Sequence, residues 1–140
     1  MSKMIPTEIR EHVEKWSARS KVEIVLFDKE ALVLRHPMGH LNGYCWIDKS
    51  RVPKLFYEYS NILYDLDVHG GITYSKVIGN WVIYGFDTAH YNDDENPLLR
   101  DPEEIKGMAV HMKKEIMRAV ALWIVETRSE LERVSEGGKD

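Results

Sequence analysis

The stretch from Tyr64 to Ser75 has the clearest alternation of apolar and polar positions in the chain. Its even-numbered positions are mainly apolar or aromatic, and its odd-numbered positions carry Asp, His, Gly, Thr and Ser. A period of two predicts a β-strand with one buried face and one polar face. The apolar run Trp81–Phe86 predicts a second strand after a short connection.

These two strands predict a hairpin, which we centre on Ile78. In that register Tyr74 faces Val82 on the buried side of the pair. The same register places His69 across from Asp87 on the polar side, where opposed Cβ atoms lie about 5 Å apart. The hairpin therefore predicts a His69–Asp87 pair.

Helical periodicity marks both ends of the chain. Apolar residues recur at spacings of four and three between Pro6 and Arg19, and His12 beside this stripe is expected to be solvated. Asp101-Pro102-Glu103-Glu104 combines a cap, a proline at the first position and an early glutamate, and predicts a helix to about Ser135. Three short runs rich in β-branched or aromatic residues predict further strands: Val22–Phe27, Ala31–Leu34 and Leu41–Ile47.

The predicted fold class is α+β, in one domain that spans residues 1–140. An antiparallel sheet of about five strands carries the long C-terminal helix and the N-terminal helix, both packed on one face. The opposite face is polar and carries His69 and Asp87.

Composition narrows the class of protein. The chain has 140 residues, 44% of them hydrophobic and 30% charged, which is typical of a soluble globular domain. A net charge of -4 argues against general binding to nucleic acid or to an anionic membrane. The single cysteine, Cys45, fits a reducing compartment and is expected to be buried rather than nucleophilic. No apolar run is long enough for a signal peptide or a membrane span, so we expect a cytoplasmic protein.

Imidazole and carboxylate groups gather near the predicted hairpin and suggest a divalent metal site. The candidate ligands are His69, Asp87, His90 and either Asp93 or Asp94. Such ligands suit zinc, manganese or iron, and a bound metal would activate water for hydrolysis. The alternative is a structural His–Asp pair that satisfies polar groups at a strand end. The chain has no HExxH motif and no paired cysteines.

Gly70 and Gly71, followed by Thr73, form a second candidate site. Exposed amides with a nearby hydroxyl suit an anion such as phosphate. The alternative is a β-bulge or a close crossing of Gly71 against Gly85. Six aromatic residues form a third candidate for stacking a base, or else belong to the core: Tyr44, Trp46, Tyr74, Trp81, Tyr84 and Tyr91.

Three motifs resemble those of a functionally uncharacterised small-protein family of phage or prophage type. They are LNGY at Leu41–Tyr44, HGG-x-T within Val68–Tyr74, and GFD-x-AH-x-x-D at Gly85–Asp93. The resemblance implies a common fold and a shared polar site but supplies no activity. The implied site residues are His69, Gly70, Gly71, Thr73, Asp87, His90 and Asp93. This chain has Thr88 where the family frequently has cysteine, which argues against thiol chemistry.

Three function classes follow from these observations. The first is a binding protein with a viral or mobile-element role, whose His69/Asp87 face holds a small nucleotide-like or phosphorylated ligand or a host protein. The second is a metal-dependent hydrolase that uses His69, Asp87 and His90. The third is an interaction module that forms a homodimer through the sheet edge or the long helix.

Overall fold

The computed structural model describes residues 4–58, 72–88 and 97–137. The strands are β1 (Glu23–Phe27), β2 (Leu32–Arg35), β3 (Leu41–Asp48), β4 (Tyr74–Ile78) and β5 (Trp81–Asp87). The helices are α1 (Thr7–Ser20), α2 (Leu55–Glu58) and α3 (Pro102–Gly137), with 3-10 turns at Lys49–Arg51 and Pro97–Arg100. The five strands form one sheet in the order β1-β2-β3-β5-β4, and each neighbouring pair is antiparallel. The predicted α+β class, strand number and two main helices are confirmed.

The two main helices cover opposite faces of the sheet, whereas we predicted both on one face. On one face, α3 packs against odd-numbered positions of β2 and β3 and even-numbered positions of β5, such as Val33, Cys45 and Tyr84. On the other face, α1 packs through Ile9 and Val13 against the alternate set of strand residues. The face predicted to be polar is therefore largely covered by α1.

The central strands explain why both faces are covered. In β3 and β5 the odd and the even positions are both buried over most of their length. A strand that is apolar at every position has no face for water, so it needs packing on both sides. The near-continuous apolar runs Tyr44–Ile47 and Val82–Tyr84 carry this signal in the sequence.

The β4–β5 hairpin has a different register from the predicted one. Its turn is Gly79-Asn80, with Gly79 at a φ of 58°, and Ile78 pairs directly with Trp81. Tyr74 consequently pairs with Gly85 instead of Val82, a shift of three residues. An odd shift moves side chains to the other face, so the alignment that placed His69 opposite Asp87 is wrong within the described strand. Residues 64–71 of the predicted strand lie outside the described residues.

Helix α3 begins as the sequence predicts. The backbone N–H of Glu103 donates to Oδ1 of Asp101 over 3.0 Å, and the helix then runs for 36 residues, about 54 Å at the usual rise per residue. Five residues along it are buried against the sheet: Ile105, Ala109, Met112, Ile116 and Val120. Despite this length, no helix in the described part of the chain is long and apolar enough to cross a membrane.

Candidate functional site

Two of the predicted site residues, Thr73 and Asp87, lie at the same end of neighbouring chain segments. The backbone N–H of Thr73 donates to the carbonyl of Gly85 over 2.9 Å, and Asp87 ends β5 two residues later. The side chain of Thr73 is exposed and that of Asp87 is half-buried. The other predicted members lie outside the described residues: His69, Gly70, Gly71, His90 and Asp93.

Gly85 makes room for two tyrosines at this end of the sheet. Its Cα partners are Tyr44 on β3 and Tyr74 on β4. A Cβ atom on Gly85 would lie only 2.4 Å from Cδ1 of Tyr44. The missing side chain therefore lets the Tyr44 ring cover the strand, with its centroid 5.8 Å from that of Tyr74. The predicted close approach of Gly71 to Gly85 lies outside the described residues.

Helix α1 contributes a third ring, Trp16, to this group. The Trp16 ring meets Tyr44 edge to face at 5.2 Å and stacks on Tyr74 at 5.4 Å with an interplanar angle of 18°. Tyr44 is buried, whereas Trp16 and Tyr74 are half-buried. We call these three residues the aromatic cluster.

Beyond the aromatic cluster lie two side chains with hydrogen-bond acceptors, Asn42 and Asp87, which we call the acceptor end. Asn42 on β3 pairs with Asp87 on β5. Burial raises the pKa of Tyr44 to about 12. A hydrogen bond from Asn42 opposes this rise, whereas the nearby Tyr74 and Asp87 add to it. Oδ1 of Asn42 is buried and has no hydrogen-bond partner among the described residues. A buried acceptor without a partner typically costs about 1 to 3 kcal/mol.

Two cations, Lys76 and Arg19, lie near His12, and we call them the basic flank. His12 on α1 has its ring 5.9 Å from Trp16. Burial lowers the pKa of His12, and the charges of Lys76 and Arg19 lower it further, which places both cations near this ring. Within the described part of the chain, the buried Nε2 of His12 has no partner. The expectation that His12 is solvated is therefore wrong for Nε2. No pattern in the sequence indicated that this atom is buried.

No family model matches this chain, and no curated protein or solved structure matches it either. The resemblance of its three motifs to a phage-type family stays a prediction. The chemistry of the region is accordingly derived from its own residues.

Thr88, which follows Asp87, has a structural role. Its side chain is buried, and its Oγ1 donates to the carbonyl of Leu41 over 2.9 Å. This hydrogen bond ties the end of β5 to the start of β3. The hydroxyl of Thr88 thus holds together the ends of β3 and β5 that carry Asn42 and Asp87.

The metal site stays a prediction. Asp87 is the one proposed ligand that the structure describes, and the described residues contain no group of three or more His, Cys, Asp or Glu that could hold a metal ion. Cys45 is fully buried in β3, and burial raises its pKa to about 12. The thiol is therefore protonated at neutral pH, consistent with the prediction that it is not a nucleophile.

Most of the described aromatic strand residues belong to the core. Trp46 is 3% exposed and Tyr84 is 0% exposed. The Tyr84 hydroxyl donates to the carbonyl of Phe56 over 2.8 Å, so the buried phenol is satisfied by a backbone partner. Trp81 is half-buried, and Tyr91 lies outside the described residues.

An open hollow lies at the other end of the same strands. It has a volume of about 560 Å³ and is lined by Asp48, Lys49, Ser50, Tyr57 and Asn80. The carboxylate of Asp48 accepts from both the backbone N–H and the hydroxyl of Ser50. None of these five lining residues has a buried side-chain nitrogen or oxygen without a hydrogen-bond partner. The acceptor end does show one, so it is the stronger candidate.

The three groups lie in order along one face of the sheet. The acceptor end is level with Asp87, the tyrosines are level with Gly85, and Lys76 pairs with Ile83. Four residues of strand separate the first level from the last, about 13 Å. We call this surface the aromatic edge: acceptors at one end, rings in the middle and Lys76 at the other.

Proposed function

We propose that this chain is a binding protein and that the aromatic edge holds a small nucleotide-like, phosphorylated ligand. The observation that carries the proposal is the buried, unpartnered Oδ1 of Asn42 beside Asp87, at the end of the aromatic cluster. Buried polar atoms in folded proteins normally have partners. A ligand that donates hydrogen bonds would supply the partner that the described chain lacks.

The acceptor end favours a ligand with N–H groups on a planar ring. A carboxylate accepts through two oxygens and suits two adjacent donors. Guanine presents such a pair, its ring N–H and its exocyclic amine, side by side. The half-buried faces of Trp16 and Tyr74 offer aromatic surface on which a base could stack.

Lys76, in the basic flank, favours a phosphate at the other end of the ligand. Lys76 and Arg19 are both exposed, and both cations act on His12. Arginine and lysine are the usual side-chain partners of phosphate oxygens. A mononucleotide has its base at one end and its phosphate at the other, in the same order as the acceptors and Lys76.

The resemblance to phage-type proteins supports a viral or mobile-element role for such a binding protein. A host protein is the alternative partner for the same face, because an aromatic and mixed-charge surface also suits a protein interface.

Thermal denaturation with nucleoside monophosphates tests the proposal. A ligand that binds only the folded chain stabilises it by about 2.7 kcal/mol at a concentration one hundred times its dissociation constant. We expect guanosine monophosphate to raise the Tm most, and inorganic phosphate alone to raise it least. Asp87→Asn and Lys76→Met should each weaken binding at least about tenfold, the loss of one charge-assisted bond.

Lys29→Met is the matched control for Lys76→Met. Lys29 is exposed in the β1–β2 turn, so this substitution removes the same charge at a site away from the aromatic edge. If no nucleotide shifts the Tm, or if the control weakens binding as much as Lys76→Met, the proposal is wrong. A host protein that binds wild type but not Asp87→Asn would then take its place.

A further inference from the structure

One segment of α3, Ala119–Val125, is apolar around its whole circumference, although only one side of it packs on the sheet core. The run Ala119–Val125 contains no charged residue. Val120 is buried, whereas Leu122, Ile124 and Val125 are 55%, 43% and 63% exposed. Helices that pack by one face carry polar residues on the other, and a helix that is apolar all round is normally buried. Val120 and Trp123 pack on the core, whereas the side of this band that carries Leu122, Ile124 and Val125 stays exposed in the part of the chain that the structure describes.

The charges that directly border the band are placed symmetrically and have opposite sign. Arg118 and Glu126 lie four residues before and after Leu122, and both side chains are exposed. The apolar centre is thus bordered by a basic residue at one end and an acidic residue at the other.

We infer that α3 binds α3 of a second copy of this chain, antiparallel and centred on Leu122. In that arrangement Arg118 of each copy faces Glu126 of the other. Leu122 meets its own symmetry mate at the centre. A parallel pair would instead bring like charges together, so the charge pattern selects the antiparallel two-fold dimer.

Charge exchange in the full-length chain, followed by sedimentation equilibrium, tests the inference. Wild type is expected to have the mass of a dimer. Arg118→Glu and Glu126→Arg should each weaken association at least about tenfold, because each creates two like-charged contacts across the two-fold axis. The double variant Arg118→Glu, Glu126→Arg restores opposite charges and should recover the dimer.

Two apolar substitutions complete the test. Leu122→Glu should give a monomer that keeps its helical circular dichroism, because Leu122 is exposed and packs against nothing in the sheet core. Met38→Glu is the matched control, since Met38 is 85% exposed in a distant turn, and it should stay dimeric. A monomeric wild type, a double variant that fails to recover the dimer, or a dimeric Leu122→Glu would overturn the inference.

Discussion

The two faces of the sheet are packed in different ways. On the α3 face, five buried helix positions meet apolar strand residues, and the buried Tyr84 hydroxyl has a backbone partner. On the α1 face, only Ile9 and Val13 of the helix are buried, and Asn42 and His12 each hold a buried polar atom with no partner among the described residues. The contrast teaches that the α3 face supplies stability, which lets the α1 face tolerate unsatisfied groups.

Removing a buried isoleucine from each helix should show the largest difference. Ile116 on α3 and Ile9 on α1 are both 0% exposed. Ile116→Ala should lower the free energy of unfolding by roughly 2 to 5 kcal/mol, because it leaves a cavity in the main core. Urea denaturation measures this loss.

Ile9→Ala should have a smaller global effect, because α1 has only two buried anchors and can detach while the α3 face stays packed. Hydrogen exchange should then rise for amides of residues 7–20 and stay low in α3. Equal losses of stability, or a rise in exchange along α3 after Ile9→Ala, would contradict the difference between the faces.

Two glycine substitutions form a finer comparison. A Cβ on Gly43 would lie 2.6 Å from Cε1 of Phe86, on the α3 face, and one on Gly85 would lie 2.4 Å from Cδ1 of Tyr44, on the α1 face. Overpacking of a core typically costs about 1 to 3 kcal/mol. We expect Gly43→Ala to cost more than Gly85→Ala, because Phe86 is enclosed whereas the Tyr44 ring lies against half-buried neighbours.

Thermal and urea unfolding of both glycine variants measure these costs. Adding Phe86→Leu to Gly43→Ala should recover part of the loss and so identify the clash as its cause. A Gly85→Ala variant less stable than Gly43→Ala would mean that the α1 face is the more rigid of the two.

The smallest expected effect is a pH dependence from His12. Its pKa is lowered from 6.5 in the folded chain, mainly by burial and then by Lys76 and Arg19. The unfolded state therefore binds more protons as the pH falls below about 6.5, so folding loses stability there. His12→Leu removes this proton uptake. Its Tm relative to wild type should rise between pH 7.5 and pH 5.5, and a constant difference would contradict the assignment.

The groups around His12 bear on that experiment. Lys76 on β4 and Arg19 on α1 both oppose its protonation, and Trp16 is the ring beside it. Lys76→Met should reduce the pH dependence without removing it, because burial is the largest cause of the lowered pKa.

Local signals in the sequence predicted the helices and strands. They did not predict the relations between distant elements, such as the hairpin register and the sheet face that each helix covers. The start of α3 is encoded within Asp101–Glu104, where the cap and the first turn are contiguous, so it was predicted correctly. The register of the β4–β5 hairpin depends on which residues turn, and alternation alone fits more than one centre. The two-residue Gly79-Asn80 turn, with its left-handed glycine, was the signal that distinguished them.

The candidate site was predictable to a similar extent. Thr73 and Asp87 were grouped in one polar site because the motifs that resemble those of the phage-type family carry both. Trp16 and His12 come from a helix more than fifty residues away in sequence. Their apolar stripe predicted that α1 packs by one face, but nothing in it specified which face of the sheet it covers.

Cys45 lies at the middle of the central strand β3, so its chemical labelling can report the opening of the sheet. The thiol is fully buried, and its pKa is raised to about 12. Reagents that react with the thiolate therefore modify Cys45 very slowly while the sheet is closed. Once β3 is exposed, the thiol regains ordinary reactivity, and each labelled molecule records one opening event. The rate of labelling therefore follows the opening of the sheet centre, with no probe introduced and no second cysteine to confuse the count.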